Sequence, residues 1–232
     1  MKNVLITGAS RGIGFELAKI FSASGNNVVA VARNTTGLKI REESPESLKG
    51  EIFTLGFDLS NGDYENQLLP FVREKLNNID IIINNAGLLR VKNFEDFDDE
   101  DFDAIFSVNV KSVFKTVKTL LKIMNTNSHI VNIGSMGGFQ GSAKFKGLSL
   151  YSAAKGAVAV LTESMAEEFK ERGIKVNALA LGAVQTEMLA SAFPGYKAPL
   201  TAGQMAEFIA DFALNGHKYF NGKILPVSLS TP

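Results

Sequence analysis

Short apolar runs rich in β-branched residues alternate along the chain with longer segments in which apolar residues recur every three or four positions. The short runs predict buried strands, and they are apolar throughout rather than alternating apolar with polar. Continuous apolar strands are typical of a parallel sheet that is covered on both faces. The predicted strands are NVLIT, NVVAVA, EIFTLGF, IDIIINN, SHIVNIGS, IKVNALAL and, near the end, GKILPV.

The segments between the strands show the periodicity of amphipathic helices. Repetition of strand and helix implies parallel strands joined by right-handed crossovers, and therefore an α/β fold. The chain shows no linker, repeat or low-complexity tract, so residues 1–232 are predicted to form a single domain. The predicted helices are GIGFELAKIFSASG, DYENQLLPFVREKL, DEDFDAIFSVNVKSVFKTVKTLLKIM, YSAAKGAVAVLTESMAEEFKERG and TAGQMAEFIADFAL.

Composition removes several classes of function. Basic and acidic residues are equal in number, 24 each, so no net charge draws the chain to nucleic acid or to an anionic membrane. The chain has no cysteine, which excludes disulfides, thiol catalysis and cysteine metal sites. No apolar signal segment precedes the first strand, and no apolar run is long enough to span a bilayer. We therefore expect a soluble cytoplasmic protein.

Two features that resemble metal sites have simpler interpretations. The acidic run Phe94–Phe102 lacks the glycine and the terminal glutamate of a calcium loop. Asp98 followed by Asp101 is typical of a capped helix start, at which carboxylates are favoured by the helix dipole. His129 and His217 are expected to stand alone, and they suggest neither a catalytic triad nor a ligand cluster. We predict no metal site.

A glycine-rich stretch, TGASRGIG, follows the first strand and opens the first helix. Gly8, Gly12 and Gly14 would let the backbone turn tightly and approach a pyrophosphate. The helix N-terminus would supply N–H groups and a positive dipole end. Spacing alone fits a plain strand-to-helix connection equally well, but the strand before and the helix after it favour nucleotide binding.

The end of the second strand indicates which dinucleotide is bound. NAD-binding chains usually carry an acid there, which holds the ribose 2′-hydroxyl. Here the position is occupied by Ala32 and is followed by Arg33, while Arg11 lies in the glycine-rich loop. Two guanidiniums without a carboxylate suit a 2′-phosphate, although two solvated surface arginines are the alternative. We predict NADP(H) rather than NAD(H) as the cofactor.

The stretch LYSAAKGAVAV places Tyr151 and Lys155 four residues apart, so the two side chains project from the same side of a helix. A nearby ammonium favours the phenolate and lowers the tyrosine pKa from about 10. Such a pair can act as a general acid toward a carbonyl oxygen or as a base toward an alcohol. For an isolated pair, a core tyrosine beside a snorkelling lysine would be the better interpretation.

Further motifs accompany the pair. NNAG, Asn84 to Gly87, closes the fourth strand, SVNV places Asn109 inside a long helical segment, and NIGS ends the fifth strand at Ser135. Ligands bind at the carboxyl edge of parallel strands. With T-G-x-x-x-G-x-G and Y-x-x-x-K in the same order, the chain resembles the short-chain dehydrogenase/reductase family from Thr7 to about Val227.

The resemblance implies a Rossmann-type, doubly wound, mainly parallel seven-stranded sheet flanked by helices on both faces. It also implies hydride transfer between a nicotinamide and a carbonyl or alcohol substrate. Tyr151 would be the acid/base, and Lys155 would lower its pKa and bind the nicotinamide ribose. Ser135 would hold the substrate oxygen, and Asn109 would position a water in a proton relay that ends at Lys155.

The glycine-rich loop and the resemblance together imply a set of cofactor contacts. Asp58 resembles the adenine contact of the family, with Leu59 beside it, and Gly182, Val184 and Thr186 of the stretch LGAVQTEM would meet the nicotinamide end. The predicted contacts are Gly8, Ser10, Arg11, Gly12, Ile13, Gly14, Arg33, Asn34, Asp58, Leu59, Asn85, Ala86, Gly87, Tyr151, Lys155, Gly182, Val184 and Thr186.

Substrate and assembly are predicted only by class. The candidate substrate-facing residues are mostly apolar, which suggests a small-molecule carbonyl or alcohol on an apolar body. A homodimer or homotetramer is expected, built on the long helices that follow Glu100 and Tyr151. The alternative function is a catalytically weak NADP(H)-binding sensor or scaffold on the same fold. The substrate-facing candidates are Leu88, Met136, Gly137, Phe145 and Leu189.

Overall fold

The computed structural model describes residues 1–35, 38 and 49–229. Its centre is a parallel sheet in which seven strands lie in the order β3-β2-β1-β4-β5-β6-β9. The strands are β1 (Asn3–Thr7), β2 (Asn27–Ala32), β3 (Ile52–Gly56), β4 (Ile79–Asn84), β5 (Met124–Ser135), β6 (Lys175–Leu181) and β9 (Ile224–Val227). A separate parallel pair is formed by β7 (Val184–Gln185) and β8 (Leu200–Thr201).

The strand order reverses direction between β1 and β4, which are hydrogen-bonded neighbours. In open α/β sheets the connections that leave two such strands diverge to opposite faces, and a crevice opens beyond their carboxyl ends. The glycine-rich turn follows β1, and the NNAG motif follows β4. Both motifs therefore lie at this crevice.

Helices cover both faces of the sheet. Because successive strand side chains point to opposite faces, Leu5 and Ile82 join one apolar cluster, while Ile6 and Ile83 join the other. The helices are α1 (Gly12–Ala23), α2 (Leu69–Leu76), α3 (Asp99–Phe106), α4 (Ser112–Leu120), α5 (Ser149–Glu168), α6 (Glu187–Ala192) and α7 (Ala202–Asn215). Side chains of α1 and α7 pack in the second cluster, and those of α2, α4 and α5 pack in the first.

The predicted fold class is confirmed by this arrangement. One predicted element differs, because the long helical segment after Glu100 is divided into α3 and α4 by a π-helical turn at Ser107–Lys111. The extra residue of a π-helical turn moves the following helix out of register with the preceding one, and such turns are frequent at functional sites. Asn109 lies at the centre of this turn.

The predicted helix start in the acidic run is also confirmed. The Asp98 carboxylate accepts a hydrogen bond from the Asp101 backbone N–H at 2.8 Å, and the Asp101 carboxylate accepts one from the Asp98 N–H, which makes a reciprocal capping box. Asp101 is fully buried, and Arg90 and Lys92 donate hydrogen bonds to its carboxylate. Those donors, Lys92 first, lower the pKa of Asp101 to about 2.

Within the described ranges, no helix is both long and apolar enough to cross a membrane.

Candidate active site

The glycine-rich turn is a close-packed piece of backbone at the end of β1. Gly8 and Gly12 have positive φ angles of 69° and 58°, which L side chains rarely adopt. A Cβ atom on Gly8 would lie 2.7 Å from the Ala86 Cα, and one on Gly14 would lie 2.4 Å from the Gly8 carbonyl oxygen. Glycine is therefore required here both for conformation and for close approach.

The N-terminus of α1 opens directly from this turn. Arg11 precedes the helix in an extended conformation, and its side chain makes no capping hydrogen bond. The first N–H groups of a helix have no partner within the helix, and the dipole makes its N-terminus positive. A bare backbone turn that leads into a helix start without a side-chain cap fits the pyrophosphate of a dinucleotide.

Asn85 fastens the end of β4 to the same turn. Its side-chain Nδ2 donates to the carbonyl oxygens of Thr7 and Gly8, both at 3.1 Å. Its backbone N–H donates to the Thr7 hydroxyl at 3.1 Å, and the Ala86 N–H donates to that hydroxyl at 3.2 Å. The two strand ends that border the crevice are thus held at one fixed separation.

Asn109 is buried beneath the segment that follows β4. Its Nδ2 donates to the carbonyl oxygens of Leu88 and Ile105, both at 2.8 Å, and its Oδ1 accepts from the Leu88 N–H at 3.3 Å. The π-helical turn therefore connects its central side chain to the backbone of the crevice wall. This arrangement positions the segment from Gly87 onward.

Tyr151 and Lys155 project from α5 toward the same region. The Lys155 Nζ lies 5.7 Å from the centre of the Tyr151 ring and donates to the Ile133 carbonyl oxygen at 2.8 Å. A Cβ atom on Gly87 would lie 3.2 Å from the Asn109 Oδ1 and 3.7 Å from the Lys155 Nζ. The structure thus brings Asn109 and Lys155 together from two separate helical elements.

Burial controls the charge states of the pair. Burial raises the pKa of Tyr151 to about 12, and a hydrogen bond with Ser135 opposes that rise. Burial lowers the pKa of Lys155 to about 8. The prediction that the lysine would lower the tyrosine pKa is wrong for the protein alone, because burial outweighs every other contribution. Tyr151 is therefore a neutral phenol at pH 7.

Ser135 ends β5 beside this pair. Its hydroxyl accepts a hydrogen bond from the Gly137 N–H at 3.2 Å and forms a side-chain hydrogen bond with Tyr151. Ser135 and Lys155 also line a small cavity of about 10 Å³, which is room for roughly one water. The end of β5 and one side of α5 therefore bring the hydroxyl, the phenol and the ammonium close together.

The residues predicted at the adenine end follow β2 and β3, whose ends are paired through Ala32 and Gly56. Arg33 and Asn34 are exposed. The Asp58 carboxylate accepts the Ser60 N–H at 2.8 Å, and the Leu59 side chain is buried in the core on the α2 side. Asp58 therefore shapes its own turn, and a contact from Leu59 to a ligand would involve its backbone.

The residues predicted at the nicotinamide end lie across the crevice. Gly182 donates its N–H to the Val227 carbonyl oxygen at 2.9 Å, while the Val184 side chain is buried in the core. Thr186 caps α6, since its hydroxyl accepts the Leu189 N–H at 3.2 Å. The Thr186 Cγ2 would lie 3.6 Å from a Cβ on Gly12, so α6 begins directly over the glycine-rich turn.

Ser10 and Ile13 complete the predicted contacts in the turn. Both are half-buried, and Ile13 packs against the core cluster on the α1 side. A contact from Ile13 to a phosphate would therefore involve its N–H group, as expected in the first turn of a helix.

Three residues at the site were missed by sequence reasoning. The Glu187 carboxylate accepts a hydrogen bond from the Arg11 guanidinium at 2.6 Å. The Met188 Cε lies 3.9 Å from where a Cβ on Gly87 would be, and the Ser152 Oγ lies 2.9 Å from the equivalent point on Gly137. The only signal was adjacency, because Glu187 and Met188 follow Thr186 and Ser152 follows Tyr151.

The candidate substrate-facing residues differ in their accessibility. Leu88, Phe145 and Leu189 are half-buried, whereas Met136 and Gly137 are buried. Any role of Met136 therefore lies in packing the wall rather than in facing the open crevice of the protein alone.

The two histidines are together rather than alone, contrary to the prediction. The ring centres of His129 and His217 are 5.6 Å apart. They lie toward the amino ends of the parallel strands, away from the carboxyl ends described above. Their distance along the chain concealed this contact. Among the described residues, no group of three or more histidine, cysteine, aspartate or glutamate side chains could hold a metal ion.

Known proteins resemble this chain in sequence over nearly its full length. The family model described as short chain dehydrogenase matches residues 2–197. An uncharacterized oxidoreductase of Staphylococcus aureus is 28% identical over 222 residues, which cover 95% of this chain and 94% of that protein.

Solved structures agree in fold. A short-chain dehydrogenase of Burkholderia cenocepacia in complex with NADP has a TM-score of 0.87 and 26% identity, over 98% of this chain and 96% of that one. The 3-ketoacyl-(acyl-carrier-protein) reductase of Brucella melitensis, complexed with NADH, has a TM-score of 0.84 and 27% identity, over 97% and 96%. These similar proteins thus include one complex with each nicotinamide dinucleotide.

Proposed function

Since the chain belongs to the short-chain dehydrogenase/reductase family, we propose that it is an NADP(H)-dependent carbonyl reductase or alcohol dehydrogenase, working as one cofactor-binding and catalytic domain over residues 1–232. The observation that carries the proposal is the convergence of Asn109, Ser135, Tyr151 and Lys155 beside a glycine-rich turn that fits a dinucleotide. A structural core would not need four polar side chains at one sheet edge.

The chain's residues would perform the proton chemistry. A bound nicotinamide dinucleotide would supply or accept the hydride. The hydroxyl of Ser135 would hold the substrate oxygen, which lies within reach of the phenol that Ser135 already contacts. Tyr151 would donate its proton to that oxygen in reduction, and its raised pKa keeps the proton in place until charge develops there.

Lys155 would support that transfer as an ammonium. With a pKa of about 8 it is largely protonated at pH 7. Within the described ranges, one of its three N–H groups is engaged by the Ile133 carbonyl, which leaves donors for a ribose hydroxyl and for a water. Asn109 would hold the Leu88 segment so that such a water has a fixed place beside Lys155.

The preference for NADP(H) over NAD(H) rests on charge at the adenine end. Arg33 is exposed at the end of β2, and Arg11 lies in the turn. Guanidinium groups bind phosphate bidentately, and the end of β2 carries no acid that would favour a free 2′-hydroxyl. The Burkholderia cenocepacia structure in complex with NADP supports this preference, and the NADH complex of the Brucella melitensis enzyme is the alternative.

We also propose a cytoplasmic location without a nucleic-acid or membrane partner. The protein is further proposed to assemble as a homodimer or homotetramer. Exposed apolar side chains on α3, α4 and α5 support the assembly, because Phe102, Phe114 and Val160 are 45%, 48% and 63% exposed. Light scattering that shows a monomer at working concentration would contradict the proposed assembly.

The experiment that tests the proposed reaction measures NADPH oxidation by absorbance across ketones, aldehydes, quinones and acyl thioesters. Tyr151→Phe removes only the phenolic oxygen, so we expect turnover to fall by about 10²–10⁴-fold, the usual contribution of a general acid. The affinity for NADPH, measured by direct titration, should change by no more than about tenfold, since a lost neutral hydrogen bond costs about 0.5–1.5 kcal/mol.

Tyr219→Phe is the matched control, because Tyr219 is 79% exposed and lies beside Phe220, in the segment after α7 and away from the strand ends of the proposed site. Full turnover in Tyr151→Phe would refute the acid/base assignment. No turnover of any compound by the unmodified protein, with NADPH still bound, would favour the non-catalytic sensor. Tighter binding of NADH than of NADPH would overturn the cofactor preference alone.

A further inference from the structure

One ion pair joins the glycine-rich turn to the far side of the crevice. The Arg11 Nη1 lies 2.6 Å from the Glu187 Oε2, although the two residues are distant in sequence. Glu187 is the first residue of α6, and Thr186 before it lies against Gly12. Two adjacent positions of one segment therefore contact two adjacent positions of the other.

The partner of this arginine matters because of what Arg11 is proposed to bind. A 2′-phosphate carries a charge of about −1.5 to −2 at pH 7 and has three acceptor oxygens. A guanidinium that faces this phosphate while it holds a carboxylate brings two anions together. Either the ion pair breaks or the phosphate binds against the negative charge of Glu187, and each event weakens binding.

The other arginine at this end has no such restraint. In the described part of the chain, Arg33 forms no ion pair, and it is exposed at the end of β2. NADH lacks the 2′-phosphate and needs neither guanidinium at that position. The cost that Glu187 imposes therefore falls on NADPH and spares NADH.

We propose that Glu187 is a specificity-determining residue, which holds Arg11 in the free protein and thereby moderates the preference for NADP(H) over NAD(H). The inference rests on the proposed function, because it assumes that Arg11 meets the 2′-phosphate. Both side chains of the pair are about two-thirds exposed, at 64% and 65%, so water screens the interaction. Glu187 is accordingly expected to change the ratio of the NADPH and NADH affinities by a small factor, not to exclude either cofactor.

The test is direct titration of NADPH and NADH by nucleotide fluorescence, without turnover. Glu187→Gln keeps the shape of the side chain and removes its charge. Exposed ion pairs are worth about 0.2–1 kcal/mol, so we expect the Kd for NADPH to fall by about 1.4- to fivefold. The Kd for NADH should stay within about 1.2-fold, which is less than the weakest exposed pair is worth.

A control and a second variant make the result specific. Glu167→Gln removes another exposed acid, which pairs with Lys170 away from the crevice, and it should leave both affinities unchanged. In a chain that already carries Arg11→Gln, the further change Glu187→Gln should have no effect on NADPH binding. That non-additivity is expected only if the carboxylate acts through Arg11.

The outcomes separate this inference from the proposed function. If the unmodified protein binds NADPH and NADH equally and Glu187→Gln tightens neither, both the NADP(H) preference and the role of Glu187 fail. If NADPH is preferred but Glu187→Gln leaves its Kd unchanged, only the role of Glu187 is overturned. Equal tightening of both cofactors would also overturn it, because the carboxylate would then act on the shared pyrophosphate.

Discussion

Burial shifts the pKa values of titratable side chains in two regions along strand β5, and the two regions are used in opposite ways. His129 lies in the first half of the strand, and Ser135 is its last residue, about 20 Å further on at roughly 3.3 Å per residue. At the first end every polar atom of the central histidine is paired. At the second end, the buried Ser152 hydroxyl oxygen has no partner within the described chain.

Around His129, hydrogen bonding is complete, although the Nδ1 of the neighbouring His217 is buried without a partner in the described chain. The His129 Nδ1 must carry the proton, because it lies 3.0 Å from the Ala213 carbonyl oxygen, and its Nε2 accepts from the Asn177 Nδ2 at 3.0 Å. Asn177 also donates to the Phe220 carbonyl and accepts the Lys223 N–H. This network connects β5 and β6 to α7 and to the segment that leads into β9. Burial lowers the pKa of His129 to about 4, so the ring is neutral.

At the catalytic end, hydrogen bonding is incomplete. Within the described chain, the Ser152 Oγ is buried without a partner. The gap left by Gly87 is bordered by polar atoms of Asn109 and Lys155. Buried polar groups normally find partners, so unfilled bonding capacity beside a cleft marks a place where a ligand completes the network. The comparison separates a network that stabilises the fold from one prepared for binding.

The largest expected effect comes from Lys155→Met, which should remove function without removing structure. The ammonium is desolvated in the folded protein, as its lowered pKa shows, so an apolar side chain of similar length relieves that cost. We expect turnover to fall by about 10²-fold or more, as for the loss of an acid–base partner. The melting temperature should stay the same or rise, and Lys170→Met, on the exposed surface, should leave both unchanged.

Asn177→Ala, in the network around His129, should lower stability without lowering turnover. It leaves the His129 Nε2, the Phe220 carbonyl and the Lys223 N–H without their partner. We expect the free energy of unfolding, measured with urea, to fall by about 1–3 kcal/mol, because the buried His129 nitrogen loses its partner, while water can reach the Phe220 and Lys223 backbone groups. The kcat of the folded variant should be unchanged. A large loss of kcat with full stability would contradict the division between the two ends.

An effect of similar size is expected in the pH dependence of stability. His129 has a folded pKa of about 4 against an ordinary value of 6.5, so between these values the unfolded chain binds the proton and the folded chain does not. Stability is therefore lost as the pH falls from 6.5 toward 4, by at most about 1.4 kcal/mol per pH unit. His217 adds in the same direction, since burial and the nearby charges of Lys218, Lys2 and Lys175 lower its pKa.

Carboxylates also titrate at the acid end of that range and change the stability of any variant. The contribution of His129 is therefore measured as the difference in stability between two proteins. Unfolding free energies of the unmodified chain and of His129→Gln are compared at pH 7 and pH 4.5. The variant should lose less stability between the two values. Parallel curves would show that His129 already accepts its proton in the folded state.

Much of the site was predictable because its residues are fixed by local patterns. Glycines in the turn follow from close approach, and Tyr151 with Lys155 follows from helical spacing. Glu187, Met188 and Ser152 were not predictable, because nothing in their own segments indicates what they contact. The histidine pair was missed for the same reason, since only the packing of α7 and the turn after it against β5 brings the rings together.

The sequence by itself determined the succession of strands and helices along the chain. It also determined that helices cover both faces of the sheet and that the polar motifs lie at strand ends. These properties depend on periodicity and on short-range backbone chemistry, which neighbouring residues settle. The tertiary structure alone decided that Arg11 pairs with Glu187 and that burial raises the pKa of Tyr151. Both depend on which distant segments exclude water from a given atom, and that is a property of the packed chain rather than of any segment within it.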